Sequence, residues 1–595
     1  MSIIYRQSQL FSKDWINHIN MPNHLKFSTI FLLFISSFAF AQQRQMKDTI
    51  DTDVVNVVKP YTPSISDAFK IKETPVINDS ITGVKKNVKY NIFSIPVAST
   101  FTPAKGKAAN VTKDAPQRIY DNYASVGFGS YTTLLGELYL NHDLDNSNSV
   151  GAYLSHHSSQ GGIEGVVLED SFSETNLNLN YSAQARNFNW NLDGGFEYDT
   201  YNWYGVPDQT VFSEDFDVMH SFYSGYFGGE IDFMESFLKK ANVKFRRFGD
   251  DSKSGENRLT AGTEFNIPIN DEVIITKLGL DYINGNFDRS YFLNEEFKYG
   301  NVNFSIAPQY QLRQDDLTIN LGINFVYLKD TEANDNDIFI YPNITASYRL
   351  LEDAVIAFGG IEGGLIQNSY YDFANENPFV SPTLYITPTD QKYNATLGIK
   401  GKLSNSMSYS FSGNYRAENA KGLYKSNPIQ DFTGQENYTY GNSFGIAYDN
   451  VKTFSAAGEL NLDVNRNFKL GIKGEFLGYS TDVEEEAWNL PDVKASLFLD
   501  YQISEKFFAG LGLYYIGERK DQISYEGSLV NEPLTTTVTL DSYFDANAHV
   551  GYKILDYLSI YGKVNNIGDQ DYNRWVNYPV QGIQFMAGAT YQFDF

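Results

Sequence analysis

The chain has 595 residues, of which 15% are aromatic, yet its mean hydropathy is only -0.35. It contains no cysteine, which excludes a disulfide framework, a thiolate metal site, a cysteine nucleophile and a lipidated N-terminal cysteine. The net charge of -26 is uneven: residues 42–118 are basic (12 Lys/Arg, 7 Asp/Glu) and 119–595 acidic (31 against 64), which argues against nucleic acid as the body's partner.

One continuous apolar run, Phe27–Phe38, follows Lys26 and precedes Ala39-Phe40-Ala41, an A-x-A cleavage pattern. This predicts a signal peptide over 1–41 with Gln42 as the first mature residue, and Met21 is the more natural start. No other stretch approaches the roughly 20 apolar residues of a spanning helix, so any membrane crossing falls to a barrel. Residues 42–118 form an N-terminal arm. Pro60, Pro63, Pro75, Pro96, Pro103 and Pro116 interrupt it, and Lys59, Lys70, Lys72, Lys85, Lys86, Lys89, Lys105 and Lys107 charge it. That composition predicts an extended or partly disordered segment, either folded into an acidic lumen as an improvised plug or left as a periplasmic tail.

From about Tyr120 onward, short runs alternate apolar and polar residues. Leu177, Leu179, Tyr181 and Ala183 share one face, with Asn176, Asn178 and Asn180 between them. Leu317, Ile319, Leu321, Ile323, Phe325 and Tyr327 repeat the pattern, as do Phe507 to Tyr515 and Phe544 to Tyr552. A period of two marks strands with one greasy and one wet face. Asn and Gly, poor strand formers in water, suit a hydrated lumen. Tight connections at 144–147, 313–316, 350–353, 464–467 and 503–506 alternate with long ones near 157–172, 200–217, 285–299, 367–391, 418–440, 481–491 and 519–540. Short periplasmic turns and long external loops are the rule for outer-membrane barrels. Counting back from Phe595 with that parity gives an all-β, antiparallel transmembrane barrel of about 22 strands over 119–595. Its first strand lies near Ala124–Gly129, and both termini are in the periplasm. Pro308 is a blemish, since proline cannot donate to a ladder. A solenoid would need a fixed repeat length, and the chain has none.

The chain ends on VQGIQFMAGATYQFDF, with Tyr591, Phe593 and Phe595 on the apolar face. Such an ending is how outer-membrane barrels close, and the terminal aromatics are read by the assembly machinery. Before it stand Ile516-Gly517-Glu518-Arg519, Asn565-Asn566, Asp571-Tyr572, Tyr578-Pro579 and Gly582. Over about the last 80 residues these resemble the end of a TonB-dependent receptor barrel of Bacteroidetes type. The resemblance implies uptake of a ligand across the outer membrane. Two departures stand out. Residues 42–118 are shorter than the family's plug domain and lack its Gly/Arg-rich motifs, and Ile583 replaces the usual Arg. The stretch Asp51-Thr52-Asp53-Val54-Val55-Asn56-Val57-Val58 resembles the family's TonB box, which would add a strand to the sheet of a TonB-like periplasmic protein. It also reads as a β-prone linker.

Trp203, Tyr204, Tyr370 and Tyr371, in long connections, are candidate ligand-stacking aromatics, although girdles at the membrane interface account for most aromatics of this kind. The acidic stretches Asp330/Glu332/Asp335/Asp337 and Asp482/Glu484/Glu485/Glu486 have the oxygens for Ca²⁺ but no EF-hand glycine, and read as solvated charge. The run Leu154-Ser155-His156-His157-Ser158-Ser159-Gln160-Gly161 resembles the His/Ser arrangement of outer-membrane phospholipase, but adjacent His and Ser face opposite sides of a strand. No residue is assigned as catalytic, metal-binding or cofactor-binding. The expected partners are outer-membrane lipid, the barrel assembly machinery and a TonB-like protein or a surface lipoprotein. A receptor-like transporter is the first reading, a structural subunit of an envelope complex the second, and a porin-like diffusion channel the third.

Overall fold

A computed structural model describes residues 120–595 except 208–215, 271, 431–435, 466 and 526–533. The expected signal peptide (1–41), the expected arm (42–118) and its 51–58 stretch lie outside the described residues.

The alternating runs form one 22-stranded antiparallel sheet in which each strand pairs with its neighbours in the chain. The first strand, Asn122–Gly129, pairs with the last, Gln584–Phe593, from Asn122 against Phe593 to Gly129 against Met586. That pairing closes the sheet and leaves no edge to aggregate. The sequence expectation of fold class and strand count therefore holds. Apolar side chains such as Phe128, Leu179, Phe227 and Leu397 point outward and are exposed, as a lipid-facing wall requires. Tight turns at 146–147, 315–316, 352–354 and 503–506 lie at one end, together with the start of the first strand and the C-terminus. Asp315 and Glu352 adopt left-handed φ values of 48° and 45° there. Asp tolerates that conformation in a turn, and Glu does so at more cost. The ladder passes over Pro308: the register runs from Ile306 opposite Phe325 to Gln309 opposite Gly322.

The long connections are more ordered than alternation alone implies. Met407–Ser426 spans 20 residues and Phe444–Asn465 spans 22, so the loop expected over 418–440 begins as strand, through Ser426. The extension is held by packing: Leu423 and Val451 bury themselves against Trp488. Residues 519–540 contain the hairpin Arg519–Tyr525 and Leu534–Leu540, and residues 367–391 contain the short helix Tyr370–Glu376.

The interior wall is electrostatically lopsided. Residues 121–238 hold 18 Asp/Glu and one base, Arg186, in a turn. Among the described residues, the strands from Asn122–Gly129 through Met219–Phe233 therefore direct Glu137, Asp143, Asp193, Glu197 and Glu230 into the lumen with no Lys or Arg among them. Lys240, Lys244 and Arg246 appear on the next strand, Leu238–Asp250.

Candidate functional site: a loop cap and its chamber

The largest buried apolar cluster lies among the long connections. It joins Trp203, Phe222, Phe248, Phe287, Tyr370, Phe379, Tyr438, Phe444, Trp575 and Tyr578. Aromatics bring large apolar areas and edge-to-face contacts, which suits an irregular core built from loops.

The helix Tyr370–Glu376 is fixed to the barrel wall. Ser369 caps it, its Oγ accepting from the Asp372 amide at 3.0 Å. Tyr370 is 1% exposed. Its Oη donates to Asp250 Oδ2 at 2.7 Å, and its amide donates to Glu256 Oε2 at 2.6 Å. Its ring stands edge-on to Phe248 and Phe287, at 5.0 Å from each. Burial, and then the Asp250 charge, pushes the Tyr370 hydroxyl well above its ordinary range, so it remains a donor. The Arg246 guanidinium lies 3.5 Å over the Tyr371 ring, whose Oη donates to Glu197 at 3.2 Å. Burial, and then Glu197, pushes that hydroxyl up to about 12. Arg258 donates to Asp372 at 3.1 Å while gripping both oxygens of Asp281 at 3.0 and 2.7 Å.

Three further connections lock together. Trp203 is 2% exposed and stacks on His220 at 3.8 Å. The Trp203 carbonyl accepts from Asn442 Nδ2 at 2.8 Å. The Asn442 carbonyl accepts from Tyr578 Oη at 2.5 Å, and the Tyr578 ring stacks on Phe379 at 3.7 Å. A Cβ on Gly205 would lie 2.2 Å from that ring, so glycine is needed for the close approach.

Between this cap and the wall is a chamber of about 190 Å³. Tyr201, Tyr204, Tyr543, Tyr572, Asn202 and Arg574 contribute to its lining. Arg519 shapes it, donating to the carbonyls of Arg574 and Asn573 at 2.5 and 2.8 Å. Asn202 Oδ1 is buried there without a protein hydrogen bond.

The sequence-named aromatics divide accordingly. Trp203 and Tyr370 lie inside the cap, buried by packing between loops and not open to a ligand or to lipid. Tyr204 lines the chamber and Tyr371 sits on the wall below the cap. Tyr591 and Phe595 are exposed on the outward face, and Phe593 is partly covered. Among the acidic stretches, Glu484 pairs with Lys425 at 2.8 Å and Glu486 with Lys520 at 2.6 Å, while Asp330 Oδ1 caps its own turn. The argument from opposite faces applies to His157 and Ser158 but not to His156 and Ser158, which are two apart and hydrogen-bonded at 3.2 Å. Sequence reasoning missed Phe379, Arg574 and Trp575. Their only signal was the density of aromatics in segments that alternation marks as loops.

No family model and no curated protein matches the chain. Solved structures do. The ferric enterobactin receptor PfeA from Pseudomonas aeruginosa is 12% identical, with a TM-score of 0.58 over 80% of this chain and 81% of that one. The pyoverdine outer-membrane receptor FpvA from Pseudomonas aeruginosa PAO1, bound to pyoverdine, is 12% identical with a TM-score of 0.58, covering 81% and 80%. The ferric-catecholate import receptor Fiu from E. coli K12 is 12% identical with a TM-score of 0.55, covering 80% and 82%. The likeness is one of fold: this chain has the 22-strand barrel of TonB-dependent outer-membrane receptors.

Proposed function

We propose that the protein is an outer-membrane receptor that admits a ligand from outside the cell through its barrel. The observation that carries this reading is the cap: at the long-loop end, loops distant in sequence enclose a polar, aromatic chamber against the wall. A cavity lined by aromatic and polar side chains under packed loops is what ligand capture needs and what free diffusion does not. In this reading residues 1–41 direct export, and Tyr591, Phe593 and Phe595 present the last strand to the assembly machinery. Residues 51–58 engage a TonB-like periplasmic protein by strand addition. Tyr204 and Tyr371 are the aromatics placed to meet a ligand. The dense packing of the cap favours a second reading, a platform that transports nothing and holds fixed partners such as a surface lipoprotein.

Conductance in a planar bilayer, for the full chain and for one lacking 42–118, tests this. A closed full-length protein with a large steady pore in the deletion supports gated uptake. Closure in both forms favours the platform. A pore in both refutes the receptor reading and leaves a diffusion channel.

A further inference from the structure

The strand Asn148–Ser159 turns Val150 and Leu154 toward lipid, 40% and 41% exposed, and then His156 and Ser158 on the same face. The neighbouring strand, Phe172–Gln184, turns Leu177 and Leu179 outward, and then Thr175, which pairs directly with His156. His156 Nδ1 lies 2.9 Å from Thr175 Oγ1, and Nε2 lies 3.2 Å from Ser158 Oγ. One imidazole thus bridges two hydroxyls. With its proton on Nδ1, Thr175 accepts, and the Nε2 lone pair faces the Ser158 hydroxyl. On the other flank His156 pairs with Gly136, where a side chain would meet no atom within 4 Å. The ring therefore has open space beside it. All three residues lie toward the long-loop ends of their strands, next beyond the outward-facing Leu154 and Leu177, where an acyl ester of the outer leaflet would reach them.

We propose that Ser158 and His156 form a serine esterase site on the outward face of the barrel, positioned by Thr175 and acting on acyl-ester lipids. The arrangement supplies a nucleophile, a base in hydrogen-bond reach and an orienting acceptor on a rigid sheet. Ser158 Oγ attacks the ester carbonyl as its proton passes to His156 Nε2. The tetrahedral adduct collapses, the bond to the lipid alcohol breaks, and His156 returns the proton to that alcohol. Water then attacks the acyl-serine with His156 again as base, releasing the fatty acid and restoring the serine. One ester and one water become one acid and one alcohol. The site faces lipid rather than lumen, so it is independent of the transport reading.

The test uses the purified full-length protein in detergent, a fluorescent fluorophosphonate probe, and mixed micelles of dioleoyl phosphatidylethanolamine. Folding of each variant is checked by heat-modifiable gel mobility. Wild type should be labelled and should release oleate. Ser158→Ala should abolish labelling, and Ser158→Ala and His156→Asn should each lower hydrolysis at least about a hundredfold. Thr175→Val should lower kcat about tenfold at unchanged KM, with Thr175→Ser restoring it. An unlabelled wild type, labelling that survives in folded Ser158→Ala, or equal hydrolysis by the two would overturn the proposal.

Discussion

Replacing Tyr370 by phenylalanine removes one oxygen from the joint between helix and barrel wall and leaves the ring packing in place. The lost bond is the 2.7 Å donation to Asp250, whose other oxygen keeps the Ser254 amide at 2.8 Å. A hydrogen bond to a buried carboxyl contributes about 1.5–3 kcal/mol. Opening of the 367–388 connection should therefore become about ten to a hundred times more frequent. Tyr370→Ala also empties the space between Phe248 and Phe287, for a loss of about 3–5 kcal/mol. Asp372→Asn should do far less. Its carboxylate is half exposed, and Arg258 keeps its two-point grip on Asp281, so about 1 kcal/mol is the ceiling. Amide hydrogen exchange across 367–388 reads these openings directly. The order should be Ala, then Phe, then Asn, with the barrel strands unchanged. Unaltered exchange in Tyr370→Phe beside fast exchange in Asp372→Asn would refute the reasoning and make the charge the true latch.

The external hairpin should respond to pH. Burial pushes Asp521 up to about 6, where it accepts from the Ser426 amide and Asn489 Nδ2. A raised acid pKa means the docked form binds the proton more tightly, so docking is strongest below about pH 4 and weakens as pH rises through about 6. Emission from buried Trp488 should shift to the red over that range in wild type and stay flat in Asp521→Asn; a shift persisting in the variant counts against this account. Tyr578→Ala should loosen three loops at once, by about 3–5 kcal/mol, and expose 427–443 to added protease at unchanged heat-modifiability. Removing Phe593 to Phe595 should prevent assembly in cells yet permit refolding into detergent. Failure in both settings would assign these residues a structural role rather than a signal.

Alternation made the barrel legible because a strand with lipid on one side and water on the other has only one way to place Leu177 or Leu317. Turn residues then set the parity, and the strand count followed. The cap was opaque for the opposite reason. Trp203 meets Asn442 and Tyr578 meets Phe379 across gaps of roughly two hundred residues, and no periodicity links them. Aromatics there read equally as girdle, ligand contact or core. The outer-face hydroxyl contact was hidden because adjacency considers only neighbouring His and Ser, whereas the contact joins His156 and Ser158. Residues two apart on a strand share a face, and the register then supplied Thr175.

The lopsided lumen wall makes the interior resemble one plate of a charged condenser. Its negative potential decays over about 8 Å at physiological ionic strength but over about 30 Å in 0.01 M salt. In concentrated electrolyte a passing ion would feel the acidic sector only by brushing against it, whereas in dilute electrolyte the field would span the bore. Any path opened through this barrel should therefore favour cations, and more steeply as the salt is diluted. Reversal potentials across a salt gradient would register that as a growing bias of fixed sign.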